Sequence, residues 1–449
     1  MLNPKYLLKI IISTITISLV AINSTSINHA IASEKSQNQL EMTAENKDNS
    51  PAQQPNKSSL VKVAQQQNAT LVQYSIIAHE SIVDGKPQTQ ESELYIWVIK
   101  PNAEVEFRKV DLKAWEKIEK ISFLNLLRRN RRAFSARSTD IKGAKVEPEP
   151  KENNLSPDLQ KLHQILIKPI ADFIPQKPEE KVIFIPQGEF LTVPFTALKD
   201  TNGKYLIEKH TISTAPSIQV LDLLYQRKIK RKGEQAFVPK NITGDELLIV
   251  GNPTAPKTPL KAGEEICKSP PLPGTEKEAK AIAQIFKAQA LIGDAATETA
   301  IAQKMPQAKI IHLAANAFPD NCQKENSPDA IALASSDRDD GWLRTEEIQN
   351  MKLKADLVVL TGCDTALGKI TGDGVIGLSR GFLVAGADSV IGSLWDVDDM
   401  ATAFLITEFY VNLSRNTDKA DGLRQAMLET MKKYPNPRDW AAFTLIGLL

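Results

Sequence analysis

Cysteine and histidine are scarce in this chain, three and five among 449 residues. So few cysteines exclude a scaffold built on disulfides. No HExxH run, no pair of CxxC motifs and no His/carboxylate cluster occurs, which argues against a metal site, and no cofactor is expected. Charge of either sign is also lacking: 55 Lys and Arg stand against 54 Asp and Glu, a formal net charge of +1. That balance gives no general case for nucleic acid or for an acidic membrane surface. Long apolar runs are absent too. The longest, Ile10 to Ile22, falls short of the roughly 20 residues that span a bilayer.

What is present is the balance of a globular protein, 42% hydrophobic and 24% charged, with enough chain for two cores. Lys5 and Lys9 precede the apolar run, and Ala30 and Ala32 supply small residues at −3 and −1 of a cleavage site. Residues 1–32 are therefore expected to be a signal peptide, with export to a periplasmic or extracellular space and no membrane anchor after cleavage. Residues 33–68, rich in Gln, Asn, Ser and Lys, are expected to be a disordered linker.

From residue 69 the chain divides into two α/β stretches, 69–240 and 245–449. In the first, ATLVQYSIIA, ELYIWVIK and VEFRKVDL read as a meander of strands, followed by one helix through AWEKIEKISFLNLLRRNRRAF. Its basic run Arg128, Arg129, Arg131 and Arg132 reads as a solvated face. In the second stretch, short apolar runs (LLIVGNP, AKIIHLA, ADLVVLTGC, DSVIGSLW) alternate with helices. That pattern predicts a mainly parallel sheet with helices on both sides, whose ligands meet the carboxyl ends of the strands. Cys363 follows ADLVVLTG directly, where a thiol is placed either as a nucleophile or as a small half-buried side chain. TGDGVIGLSRG formally matches GxGxxG but does not follow its strand directly, so it reads as a tight turn, not a phosphate cradle. Asp396, Asp398 and Asp399 follow a strand and are expected to cap the next helix; Asp396 and Asp398 also suit a basic substrate residue.

The runs LVQYSI, VIFIPQGEFLTVPFTAL, YLIEKHTISTAPSIQVL, IVGNP, PLPGTEKEA, VVLTGCDTALG, TGDGVIGLSRGFLVAGA, SVIGSLWDV and WAAFTLIG, in this order, resemble the CHAT domain family. The resemblance covers 69–449. It implies a caspase-like α/β architecture related to separase and gingipains, a bacterial setting, and cysteine endopeptidase chemistry in the second half. In the family a His after one strand activates a Cys after the neighbouring strand. The nucleophile position maps to Cys363, with Asp364 and Thr365 also matching; Gly362 replaces an Ala. The other motif, His-Leu-Ala-Thr-His-Gly, reads His312-Leu313-Ala314-Ala315-Asn316-Ala317 here. Asn316 stands at the base position, and Ala317 at the glycine whose N–H is thought to face the oxyanion.

An amide cannot accept a thiol proton or protonate a leaving amine. Only about 3% of an unassisted thiol is ionised at pH 7, and loss of general acid–base help costs on the order of 10² to 10⁴ in rate. Ala317 is a further handicap if the loop needs φ > 0. His312 lies four residues back along its strand and reads as a core or supporting histidine; His79, His163 and His210 belong to the first half. Cys267 and Cys322 both lie in loops of the second half, and a Cys267–Cys322 disulfide is expected, leaving Cys363 as the free thiol. The expectation is an exported protein that binds a peptide or protein and is a weak or inactive pseudopeptidase. Alternatives are an active cysteine endopeptidase with another base, and an interaction module in which the cleft has no part.

Overall fold

The computed structural model describes residues 57–83, 86–135, 155–231, 238–260, 267, 271–318, 329–362, 365, 369–371, 374–415 and 417–449; for 79–83, 86–90, 135, 240, 369–371 and 374–376 it describes the backbone alone. The signal-peptide expectation, most of the linker, Cys322, Cys363 and Asp364 lie outside the described residues.

Eleven strands form one sheet in the order β3-β2-β1-β4-β5-β16-β15-β12-β8-β6-β7. Their ranges are β1 Ala69–Val83, β2 Lys86–Ile99, β3 Val105–Asp111, β4 Lys181–Ile185, β5 Thr211–Thr214, β6 Leu247–Pro253, β7 Ala290–Gly293, β8 Ile310–Ala314, β12 Leu357–Leu360, β15 Ser389–Ser393 and β16 Phe443–Gly447. Two small sheets stand apart from it. One contains β9 Ala317–Phe318, β10 Ala330–Ala332 and β11 Trp342–Arg344; the other is the hairpin of β13 Lys369–Thr371 and β14 Gly374–Ile376. The principal helices are α1 Lys57–Gln67, α2 Leu112–Glu119, α3 Phe123–Ser135, α4 Leu155–Leu166, α5 Ile218–Lys230, α6 Pro273–Phe286, α7 Glu298–Lys304, α8 Leu378–Ala385, α9 Asp399–Ser414 and α10 Lys419–Lys433. Neighbouring strands run parallel except in the β1–β2–β3 meander and where β16 meets β15.

Two local readings of the sequence are corrected. Residues 57–67, placed in a disordered linker, form helix α1, which buries Leu60, Val61, Val63 and Ala64. It packs against α5, β1 and β2. Four apolar side chains on one face suffice when a partner surface is ready, although the Gln-rich average hides them. The single helix expected after β3 is two. Lys120 takes the left-handed conformation, φ 56°, ending α2. Ser122 then accepts the amide of Asn125 at 3.2 Å, the bond of an N-cap, and Ile118 is left 77% exposed. Among the arginines of α3, Arg129 pairs with the buried Asp158 of α4, Nε to Oδ2 at 2.7 Å, while Arg128, Arg131 and Arg132 are exposed.

The two stretches expected as separate halves share one core and one sheet. The join is β16, antiparallel to β15 on one side and parallel to β5 on the other through Ile446 and Thr214. Side chains fasten it. Thr214 and Thr444 hydroxyls lie 3.1 Å apart, Lys181 reaches Asp418 at 2.6 Å, and Arg227 of α5 donates to the carbonyl of Leu383 at 2.8 Å. Beside it the fully buried Asp388 pairs with Arg231 and Lys228. Among the described residues no helix is long and apolar enough to cross a membrane.

Candidate functional site

Strands β8 and β12 are parallel neighbours, with Leu313 opposite Leu360, so both chains leave the sheet at the same edge. Thr361 extends the pairing by donating its N–H to Leu313 at 3.2 Å. Counted from the paired leucines, Asn316 and Cys363 occupy equivalent places, each three residues on. The two exits touch. A methyl group added at Gly362 would stand 2.4 Å from the carbonyl oxygen of Ala315 and 3.5 Å from the nitrogen of Ala317. No side chain fits there without parting the loops.

A ring of hydroxyls holds the β12 exit on its other flank. Ser393, at the end of β15, donates to the carbonyl of Gly362 at 2.6 Å and accepts the amide of Thr365 at 3.2 Å. The Thr365 hydroxyl accepts the Ser393 amide at 3.1 Å and lies within reach of the carbonyls of Leu360, 3.1 Å, and Gly362, 3.2 Å. Ser379 of α8 donates to the Thr365 carbonyl at 2.7 Å. All three hydroxyl residues are buried. The segment containing Cys363 is thus anchored at both ends, by Gly362 and by Thr365.

On the β8 side Asn316 is half-buried, and its carbonyl accepts the amide of Ala332 at 2.9 Å. Ala317 is extended backbone in β9, paired with Ile331, and has no positive φ. The steric condition attached to losing glycine at this position is therefore not met here. Beneath Asn316, the fully buried His312 places Nε2 3.0 Å from Oε1 of Glu278 on α6, off the line of a straight hydrogen bond. The ring of Tyr410 from α9 meets His312 edge-on, with centroids 5.5 Å apart. Burial drives the Glu278 carboxyl above the usual range, and its contacts with His312 and Thr361 pull it back.

Other expected residues are placed as follows. Asp398 caps α9, accepting the amides of Met400 and Ala401 at 3.0 and 2.9 Å. Asp399 accepts the amide of Gly274 at 2.6 Å, which ties the start of α6 to the start of α9; Asp396 is half-buried nearby in sequence. Asn252, left-handed at φ 45°, accepts the amide of Leu272 at 2.9 Å and closes the rim after β6. His210 directly precedes β5, three strands along the sheet from β12 and four from β8, and burial lowers its pKa to about 4. His163 lies on α4, also lowered by burial, and His79 is described by backbone alone in β1. Gly374 lies in β14, and Gly377 precedes α8 in extended backbone, so the glycine-rich run makes a hairpin and helix start.

Cys267 is buried and disulfide-bonded, packed with Leu260, Ala330, Ala332 and Trp342 against Phe318, which continues from Asn316. The other two cysteines lie outside the described residues. Among the described residues no three His, Cys, Asp or Glu side chains converge as metal ligands would. Sequence reasoning missed Ser393, Ser379, Glu278 and Thr361. Only Thr365 carried a signal, as part of the Cys363 motif.

The family model that matches the chain is the CHAT domain, over residues 156–448. Among curated proteins, tetratricopeptide repeat protein 28 of Homo sapiens is 25% identical over 345 residues, 68% of this chain and 14% of that protein. Its Mus musculus counterpart is 25% identical over 339 residues, 66% and 13%. The chain thus spans about a seventh of these relatives' length. Similar solved structures include the Saccharomyces cerevisiae separase–securin complex, at 13% identity and TM-score 0.48, covering 87% of this chain and 31% of that one. The Arg-specific cysteine proteinase gingipain R follows at 12% identity and TM-score 0.39, covering 74% and 76%.

Proposed function

Because this chain belongs to the CHAT domain family, we propose that it binds a peptide or protein in the cleft above β8 and β12, with peptide-bond hydrolysis absent or very slow. The observation that carries this reading is the register: the place equivalent to that of Cys363, three residues past the paired leucine, is held by Asn316. An amide there can donate and accept hydrogen bonds to an extended peptide but can move no proton. No other histidine described with its side chain stands at the strand exits: His312 is buried below them, His163 is on α4, and His210 precedes β5, three strands along the sheet from β12. The curated relatives are named for tetratricopeptide repeats, helical modules that present concave binding surfaces, which favours a protein partner over a small molecule.

The test offers a mixed peptide library to residues 33–449 and, in parallel, to Asn316→His with Ala317→Gly and to Cys363→Ala. Binding without cleavage by the unaltered chain is the expected result. Cleavage abolished by Cys363→Ala would establish an active cysteine peptidase with an unlooked-for base, and absence of peptide binding would leave an interaction module that does not use the cleft. Export through removal of residues 1–32 belongs to the same reading, and N-terminal sequencing of secreted protein should begin at Ser33. An oxidised Cys267 fits that compartment. Its partner is proposed to be Cys322, since Cys267 packs against Phe318, from which the 319–328 segment departs. Peptide mapping without reduction should then find Cys267 linked to Cys322 and Cys363 alkylated.

A further inference from the structure

Helix α8 is about two turns long, too short to hold its shape alone, and no side chain caps its start at Gly377. Its stability comes from what it is tied to. Its first turn touches the candidate site, where Ser379 donates to the carbonyl of Thr365 at 2.7 Å. The last carbonyls of a helix have no partners within it and must find them elsewhere. Phe382 accepts the amides of Gly386 and Ala387 at 3.2 and 3.0 Å, and Ala385 accepts the amide of Leu353 at 2.8 Å. The buried Leu383 is served from the first stretch of the chain: Arg227 of α5 donates to its carbonyl at 2.8 Å, and to that of Ala387 just beyond. One turn on along α5, Arg231 pairs with Asp388 and donates to the carbonyl of Lys354 at 3.2 Å. Helix α8 is thus a strut about 12 Å long between the rim of the β12 exit and α5.

We infer that Arg227 is a positioning residue of the candidate site: acting through α8 and Ser379, it holds Thr365 in place without touching a ligand itself. Thr365 is the residue whose hydroxyl reaches the carbonyl of Gly362 and whose amide is taken by Ser393, so what holds it also holds the β12 exit. The first stretch of the chain thereby bears on a cleft built from strands of the second. Arginine suits the task because its planar fork spans two carbonyls, where a lysine offers a single point of charge. A capping role alone would stabilise the end of α8 and stop there; a strut makes the far end respond. The inference rests on the reading of the cleft above β8 and β12 as the binding site.

The experiment follows site-resolved hydrogen exchange of the Thr365 and Gly381 amides in the full chain, and the recovery of peptides from a mixed library by the immobilised chain. It compares Arg227→Met, Arg227→Lys, Ser379→Ala, the double variant Arg227→Met with Ser379→Ala, and Lys181→Met, which removes the link to Asp418 that joins the two stretches elsewhere. Arg227→Met should speed exchange at both amides by about tenfold or more, the effect of losing one charge-assisted hydrogen bond, and lower peptide recovery by about fivefold. Arg227→Lys should fall between. Ser379→Ala should speed exchange at Thr365, and adding Arg227→Met should then change it little, because the route is already cut. Lys181→Met should leave both amides as they are. Native exchange at Thr365 in Arg227→Met overturns the inference, and so do Arg227→Met and Ser379→Ala effects that multiply there. If Arg227→Met fails to fold, native exchange in Arg227→Lys overturns it instead. Equal acceleration in Lys181→Met also overturns it, since the loosening would then be general. An unaltered chain that recovers no peptide would sink the binding reading, while the exchange rates still decide the role of Arg227.

Discussion

Replacing Ser393 by Ala removes one oxygen and tests the anchoring of the Cys363 segment. That oxygen gives a proton to Gly362 at 2.6 Å and takes one from the amide of Thr365 at 3.2 Å, and its residue has no solvent exposure. Gly362 keeps a second donor, the Thr365 hydroxyl at 3.2 Å, but the Thr365 amide loses its acceptor in the interior. Two lost hydrogen bonds at about 1 kcal/mol each, with part of the desolvation penalty of the orphaned N–H, give a cost of about 2 to 3 kcal/mol. Urea unfolding should show that loss as a lower midpoint with an unchanged slope. If Cys363 reacts by way of local opening of this segment, the same energy raises its alkylation rate under native conditions by roughly 30- to 150-fold. Ser393→Thr keeps the hydroxyl and should fall between. A midpoint unchanged to within about 0.5 kcal/mol, or a slower alkylation, would refute the anchoring argument, because the orphaned amide would then have found a partner the geometry does not offer.

Three further outcomes concern pH. His210 has a folded pKa of about 4 against 6.5 for the free side chain, so the unfolded chain takes up the proton first and stability falls as pH drops between those values; His210→Gln should remove up to about 3 kcal/mol of that slope in unfolding titrations. Buried Lys419 titrates at about 8 in the fold against 10.5 ordinarily, for reasons of desolvation and then of nearby Lys228, so stability should rise between those values, and Lys419→Met should flatten the rise. Glu298 is raised to about 7 by burial and then by Glu347, Asp339 and Asp340, which makes its charged form a burden at pH 8. Glu298→Gln can still accept the Gly341 amide, and thermal unfolding should find it more stable by about 1 to 2 kcal/mol at pH 8, allowing for solvent screening, with no gain below pH 4.5.

The parallel strands of the second stretch were legible because runs such as LVVL and SVIGS, buried on both faces, admit little else. The small sheet of β9, β10 and β11 was not. Its strands hold two or three residues each, too few for alternation to register, and their pairing is decided by contacts with Leu260 and Cys267. Asn316 and Cys363 were singled out by motif, and in the chain each comes three residues after one of the paired leucines, Leu313 and Leu360. The supports escaped notice for the opposite reason. Ser393 and Thr365 lie 28 residues apart, and Glu278 sits among the lysines and glutamates of TEKEAK as if on a solvated face. Nothing local marks it as the side chain that turns inward.

Strand β16 has a bearing on how the molecule is made. It is the last strand in chain order, yet it lies in the middle of the sheet, between β5 and β15. As the chain emerges from N-terminus to C-terminus, five strands on one side and five on the other must exist with bare inner edges until residues 443–447 arrive to join them. Bare edges are templates for wrong pairing. Assembly of the sheet therefore waits on β16, and the interval before residues 443–447 are inserted is the one in which the gap stands open.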